Sequence, residues 1–108
     1  MRLAFAWLRV ALTFVAELAK STAATMRAVL GRPDRLRPAI LAVPLDLRSP
    51  GGVVLFANMV TLTPGTTSLD VSADGRTLYV HVLHAPDHTA AVAGMKSTLE
   101  ARAREVLP

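Results

Sequence analysis

Hydrophobic and polar positions divide the chain into two stretches of different character. Residues 2–30 contain neither Pro nor Gly and are dominated by Ala and Leu, so the pattern predicts one helix over the whole stretch. Gly31, Arg32 and Pro33 follow at once and end it. At 1.5 Å per residue such a helix is about 40 Å long. Arg9, Glu17 and Lys20 interrupt the apolar run, and no charge-free stretch approaches the ~18 residues of a simple membrane span. At about 100° per residue, Arg2, Arg9, Lys20 and Arg27 fall on one narrow stripe with Glu17 to its side. Trp7, Leu8, Val10, Phe14, Val15, Leu18 and Met26 spread over the remainder, a wider apolar face than the ~100° that packing on its own domain requires. Residues 1–31 therefore read as a membrane-associated helix. Its apolar surface meets lipid or other membrane helices, and its basic seam meets water, headgroups or acidic partner groups.

A short basic linker, residues 32–37, leads to a second region, residues 38–108, with a different rhythm. Ile40–Val43 predicts a short strand that Pro44 places at an edge or a bulge. Ser49-Pro50 is a helix start, with Ser as N-cap and Pro in the first turn. Residues 51–62 are apolar almost all round and, as a helix, are expected to be buried on several sides; their Val and Phe also admit a strand. Gly52, in its first turn, reads as a position where a larger side chain costs little. Thr63-Pro64-Gly65-Thr66 has the residues of a type II turn, Pro presetting the second position and Gly supplying φ > 0 at the third. Asp74-Gly75 marks a hairpin between residues 67–72 and 77–84. Its predicted register pairs Ser72 with Thr77, Asp70 with Tyr79 and Ser68 with His81, so that Leu69 and Val71 join Leu78, Val80 and Val82 on the core face. Pro86-Asp87 opens a last helix with the stripe Val92, Met95, Leu99, Ala103 and Val106, and Glu100 stands four residues before Arg104 as a favourable pair. The fold class is α+β: a membrane-associated helix followed by a small β-α-β-β-α sandwich.

Composition and charge narrow the function. Of 108 residues, 52% are hydrophobic and 19% charged, which excludes intrinsic disorder. The net charge of +4 is uneven: residues 1–48 hold eight Lys/Arg against three Asp/Glu, residues 49–108 four against five. A basic and apolar N-terminal half points to a membrane surface or partner helix rather than to nucleic acid, and the five aromatics form no stacking platform. Arg27, Arg32, Arg35 and Arg37 put the flank after the helix on the cytoplasmic side. The absence of Cys removes disulfides and thiolate metal sites. His81, His84 and His88 lie near one another, but an odd spacing on a strand sends His81 and His84 to opposite faces. No metal site is expected, and His81 reads as a half-buried partner of Asp70 or Ser68. There is no nucleophile elbow, P-loop or dinucleotide fingerprint, so neither an enzyme nor a cofactor is expected.

The run Asn58-Met59-Val60-Thr61-Leu62-Thr63-Pro64-Gly65-Thr66, then Asp70-Val71-Ser72, then Leu78-Tyr79-Val80-His81 resembles the MnhE/MrpE family, the E-type subunits of the multisubunit Mrp/Mnh-type sodium/proton antiporters. Arg37-Pro38, Val43-Pro44 and Ala85-Pro86-Asp87 fit the same pattern, and the resemblance covers essentially the whole chain. It implies a small subunit of a bacterial or archaeal plasma-membrane complex with its globular part in the cytoplasm. Such a subunit is needed for assembly and transport and does not host the main proton channels. Its partners are the other antiporter subunits and the lipid bilayer. Family members carry further hydrophobic segments ahead of this helix, so the chain, starting directly at it, reads either as a short form or as one whose upstream start is missing. The motif falls on Asn58, Thr61, Thr63, Pro64, Gly65, Thr66, Asp70 and His81. Pro64 and Gly65 shape the turn, the threonine hydroxyls satisfy backbone groups, and Asn58 is a polar group on an apolar helix that needs a partner. The rival class is a peripheral membrane adaptor unrelated to ion transport.

Overall fold

A computed structural model describes residues 1–31, 34 and 36–108. The helix α1 runs from Arg2 to Leu30 and ends at Gly31, whose N–H donates to Arg27 O at 3.1 Å. Arg32, Pro33 and Arg35 fall outside the described residues, and with them half of the arginine cluster expected there. The rest comprises β1 (Ala39–Pro44), α2 (Pro50–Leu62), β2 (Thr66–Val71), β3 (Thr77–Val82) and a last helix in three parts. These are α3 (His88–Met95), a single π turn (Lys96–Glu100) and α4 (Ala101–Val106). The sheet is antiparallel with the order β1-β3-β2, so β1 and β2 are its edges. Pro44, at the end of the edge strand β1, removes no ladder bond from the centre.

The caps form where the sequence places them. Ser49 Oγ accepts from Gly52 N at 3.0 Å, and Asp87 Oδ1 accepts from Ala90 N at 3.0 Å, each satisfying a donor that a helix start leaves open. One face of the sheet carries Leu41, Val43, Leu78, Val80 and Val82. The helices lay Phe56, Met59, Val60, Leu99, Ala103 and Val106 on it, and α1 adds Val10.

Four expectations are corrected. First, β2 has a bulge at Leu69: Ser68 pairs with Val80 and Thr67 with His81, whereas Asp70 keeps Tyr79. An extra residue reverses the alternation, so Ser68 turns inward and Leu69 outward, 51% exposed. Second, α2 is not buried on several sides. Gly52, Phe56, Met59 and Val60 face the core, while Val54 and Leu62 stay largely exposed. Third, Glu100 does not pair with Arg104. It is buried and bonds Lys96 Nζ at 2.9 Å. Fourth, Gly52 is not a tolerant position: a Cβ there would lie 2.0 Å from Leu107 O.

Candidate functional site

The residues of the Thr-Pro-Gly-Thr run gather at the end of α2. The last turn of a helix leaves carbonyls short of intrahelical partners, and here hydroxyls add to the bonds that Thr63 N makes to Met59 O and Val60 O. Thr63 Oγ1 donates to Met59 O at 2.8 Å, Ser68 Oγ donates to Ala57 O at 2.8 Å, and Thr66 Oγ1 lies against both Val60 O and Thr63 O, the latter at 2.9 Å. Thr61 Oγ1 accepts from Ser68 N at 3.0 Å. The turn itself closes by Thr66 N donating to Thr63 O at 3.2 Å, with Gly65 at φ +86°, as a type II turn requires. Gly65 O in turn accepts from Leu83 N at 2.8 Å, which fixes the turn against the strand that carries His81 and Val82.

That turn is also where α1 comes to rest. A Cβ on Gly65 would meet Thr25 Oγ1 of α1 at 3.0 Å. A cleft of about 210 Å³ remains between them, lined by Ser21, Ala24, Thr25 and Ala28 on one side and by residues 63–66 on the other. Further along, Val10 is buried and Phe14 is packed against the core, and Arg9 Nη1 reaches Glu105 Oε1 at 3.3 Å. Glu105 also takes Arg102 Nη1 at 3.0 Å. Lys20 Nζ stands 3.3 Å from Glu17 Oε1. Arg9 and Lys20, the two cations within the apolar run, thus have partners in the chain itself, and Arg2 and Arg27 are exposed. The opposite side of α1 is open: Phe5, Leu8, Leu12, Val15, Met26 and Val29 are each more than half exposed.

The remaining motif residues are not brought to this place. Asn58 is exposed on the open side of α2, between Val54 and Leu62, so water satisfies it and the helix needs no internal partner for it. Asp70 Oδ1 accepts from Val71 N at 2.8 Å, and Ser68 points to Ala57. His81 therefore has neither of its expected partners and sits half-buried between Ile40 and Thr67 on the sheet. His84 Nδ1 accepts from Arg37 N at 3.0 Å. Among the described residues, no three His, Asp or Glu side chains converge to hold a metal ion.

One cluster escapes sequence reasoning. Lys96, on the π turn, binds Asp46 Oδ2 at 2.9 Å, Glu100 Oε1 at 2.9 Å and the carbonyl of Pro44. Glu100 Oε2 accepts from Asp46 N at 2.8 Å. The cluster ties the β1–α2 loop to the last helix and gives the buried Glu100 a hydrogen bond to each oxygen, as a buried carboxylate needs. Burial works against the Lys96 ammonium, but its hydrogen bonds to Glu100 and Asp46 and their charges outweigh it and raise its pKa. The hydrogen bond from Lys96, then its charge, lowers that of Asp46. The signal was the Lys96/Glu100 spacing of four, half hidden by the equally good Glu100/Arg104 spacing.

Fold and surface together define a class: a small α+β domain that holds a long helix by one side, chiefly through Val10 and Phe14, and leaves a second apolar side exposed. Comparison with known proteins names the family. The model for the Na+/H+ ion antiporter subunit MNHE matches residues 1–106, and the chain belongs to that family, one of ion-antiporter subunits and not of enzymes. The E1-type Na+/H+ antiporter subunit of Staphylococcus haemolyticus is 34% identical over 92% of this chain and 62% of its own length. The E-type Na+/H+ antiporter subunit of Alkalihalophilus pseudofirmus is 30% identical over 98% and 67%. The chain thus spans about three fifths to two thirds of the length of these relatives. A chain in the solved structure of the Mrp complex from Dietzia sp. aligns with a TM-score of 0.66 and 26% identity, over 94% of this chain and 93% of that one.

Proposed function

We propose that the chain is an accessory membrane subunit of a multisubunit sodium/proton antiporter, needed for the complex to assemble and so to exchange ions. The observation that carries this reading is the open side of α1. In a chain of this family, an exposed apolar helix face is a surface for membrane or partner, because isolated soluble domains rarely leave so much contiguous apolar area in water. Among the described residues no helix is long and apolar enough to cross a membrane, so the open face, not a simple span, is what supports the membrane reading. The basic residues that gather between α1 and β1 support a cytoplasmic position for the globular part.

A second surface fits a neighbouring subunit. Val54, Asn58, Thr61 and Leu62 form the open side of α2, and the outward-turned Leu69 follows Ser68, which is hydrogen-bonded to Thr61. This strip is apolar with one amide at its middle, and it joins the motif residues Asn58 and Thr61 to a role that the core does not give them. The test is recovery of the other subunits on a tagged chain, in a host that lacks its own antiporter. The unaltered chain is expected to bring them down and to support growth in sodium. Leu62→Asp is expected to lower recovery without changing the helical circular dichroism of the chain. Recovery no better than with an unrelated tagged protein overturns the reading.

A further inference from the structure

The contacts of α1 bear on how it can meet a membrane. Its domain side is engaged from Ala6 to Ala28, with Val10, Phe14, Glu17, Ser21 and Thr25 half-buried or buried along the way. That engaged length is about 33 Å at 1.5 Å per residue, as long as the ~30 Å hydrocarbon core is thick. Were α1 to cross a bilayer in this arrangement, the ion pairs of Arg9 with Glu105 and of Lys20 with Glu17 would be carried into hydrocarbon beside it, where charges are costly.

The surface facing away from the domain is suited to a different position. At about 100° per residue, the open face from Ala4 to Leu30 contains no charged residue. Arg2, Arg9, Lys20 and Arg27 run along one margin of it, and Trp7, 43% exposed, stands on the opposite margin. Glu17, the only acid on the helix, is turned to the domain side. An apolar strip with a row of cations at headgroup height and an indole at its border is the surface of a helix lying flat in an interface.

From this geometry we infer that α1 lies in the plane of the membrane, its open face embedded in the surface of a bilayer containing anionic lipid and its basic margin on the headgroups. The inference rests on the reading of the chain as a membrane subunit and specifies how it meets the membrane. The occupant is anionic lipid, because the charges bordering the face are all of one sign.

The chain has no cysteine, so single labels can be placed at will. Leu8 and Met26 share one angular position on α1 and stand about 27 Å apart along its axis. Leu8→Cys and Met26→Cys, spin-labelled in the full chain on vesicles of phosphatidylcholine with one quarter phosphatidylglycerol, are expected to report equal, shallow depths. Arg2→Gln and Arg27→Gln, which make no ion pair among the described residues, are each expected to weaken binding to these vesicles about five-fold. Neither is expected to alter binding to phosphatidylcholine alone. A depth difference on the scale of the bilayer overturns the inference in favour of a spanning helix. Absence of vesicle binding by a chain that still recovers the antiporter subunits overturns it in favour of partner helices covering the face, and leaves the proposed function standing. Loss of both removes both readings.

Discussion

A Cβ on Gly52 would stand 2.0 Å from Leu107 O, whereas one on Gly65 would stand 3.0 Å from the Thr25 hydroxyl, in a backbone with φ +86°. The first contact is with backbone, which cannot turn aside; the second is with a side chain that can. Gly52→Ala is therefore expected to lower the melting temperature more than Gly65→Ala, whose left-handed backbone costs about 1–3 kcal/mol. At Gly94 nothing lies within 4 Å of the added atom, and Gly94→Ala is expected to raise stability by up to about 1 kcal/mol through helix propensity. Thermal unfolding followed by circular dichroism ranks the three, and a Gly52 variant as stable as the Gly94 variant refutes the packing at Leu107. The difference in legibility has the same cause. Gly65 announces itself through its own neighbours, Pro64 and the flanking threonines. Gly52 is constrained by the far end of the chain, where Leu107 and Pro108 return to the start of α2, and no local pattern records that.

The same distinction runs through the elements. Those set by local chemistry were legible: the Pro- and Gly-free run of α1, the caps at Ser49 and Asp87, and the strands about Asp74-Gly75. In the hairpin, Ser72 N donates to Thr77 O at 2.9 Å and Asp74 Oδ1 accepts from Arg76 N at 3.0 Å. What long-range packing decides was not legible: the one-sided burial of α2, the bulge at Leu69 and the π turn. The last two arise where side chains of one element satisfy the backbone of another. Ser68 reaches Ala57 O only if Leu69 is pushed out, and Lys96 reaches the β1–α2 loop from the π turn. A π turn displaces the helix register and often marks a site with a specific task; here it brings Lys96 and Glu100 to Asp46. Glu100→Ala takes from Asp46 N its acceptor and from Lys96 one of its two carboxylates, Asp46 remaining as counter-ion, so it is expected to cost about 2 kcal/mol, and Glu100→Gln, which keeps an acceptor for Asp46 N, less. The pH dependence follows from the directions of the shifts. The lowered pKa of Asp46 gives stability present above its ordinary value of 3.8 and lost as pH falls through the folded one. The raised pKa of Lys96 gives stability present below 10.5 and lost as pH rises through the folded one. Between these limits the Asp46–Lys96 pair contributes a constant amount. Denaturant unfolding of the Asp46→Asn variant is expected to show a shallower loss of stability below pH 4 than the unaltered chain, and an identical acid slope counts against the pair.

At the scale of the whole molecule, α1 is a helix with two obligations, and its basic seam lies at the border between them. Arg9 pairs with Glu105 of the domain, yet its side chain is 58% exposed, so solvent screens the pair and its contribution to folding is under about 1 kcal/mol. An apolar inner side, with Val10 and Phe14 in the core, does most of the holding. Reversing the charge separates the two duties. Arg9→Glu places a carboxylate opposite Glu105 and is expected to speed amide exchange in the first half of α1. It is also expected to weaken attachment to anionic vesicles and recovery of the antiporter subunits. Adding Glu105→Arg restores opposite charges across the contact and is expected to return the exchange rates toward those of the unaltered chain. It is not expected to restore attachment, because the carboxylate at residue 9 still borders the open face. Arg76→Glu, at an exposed position on the hairpin, serves as a control for net charge and is expected to change neither readout appreciably. Amide exchange by mass spectrometry and vesicle flotation measure the two properties on the same variants. If the swap recovers attachment as fully as it recovers exchange, Arg9 serves only to hold α1 on its domain, and the outward role of the seam falls to Arg2, Lys20 and Arg27.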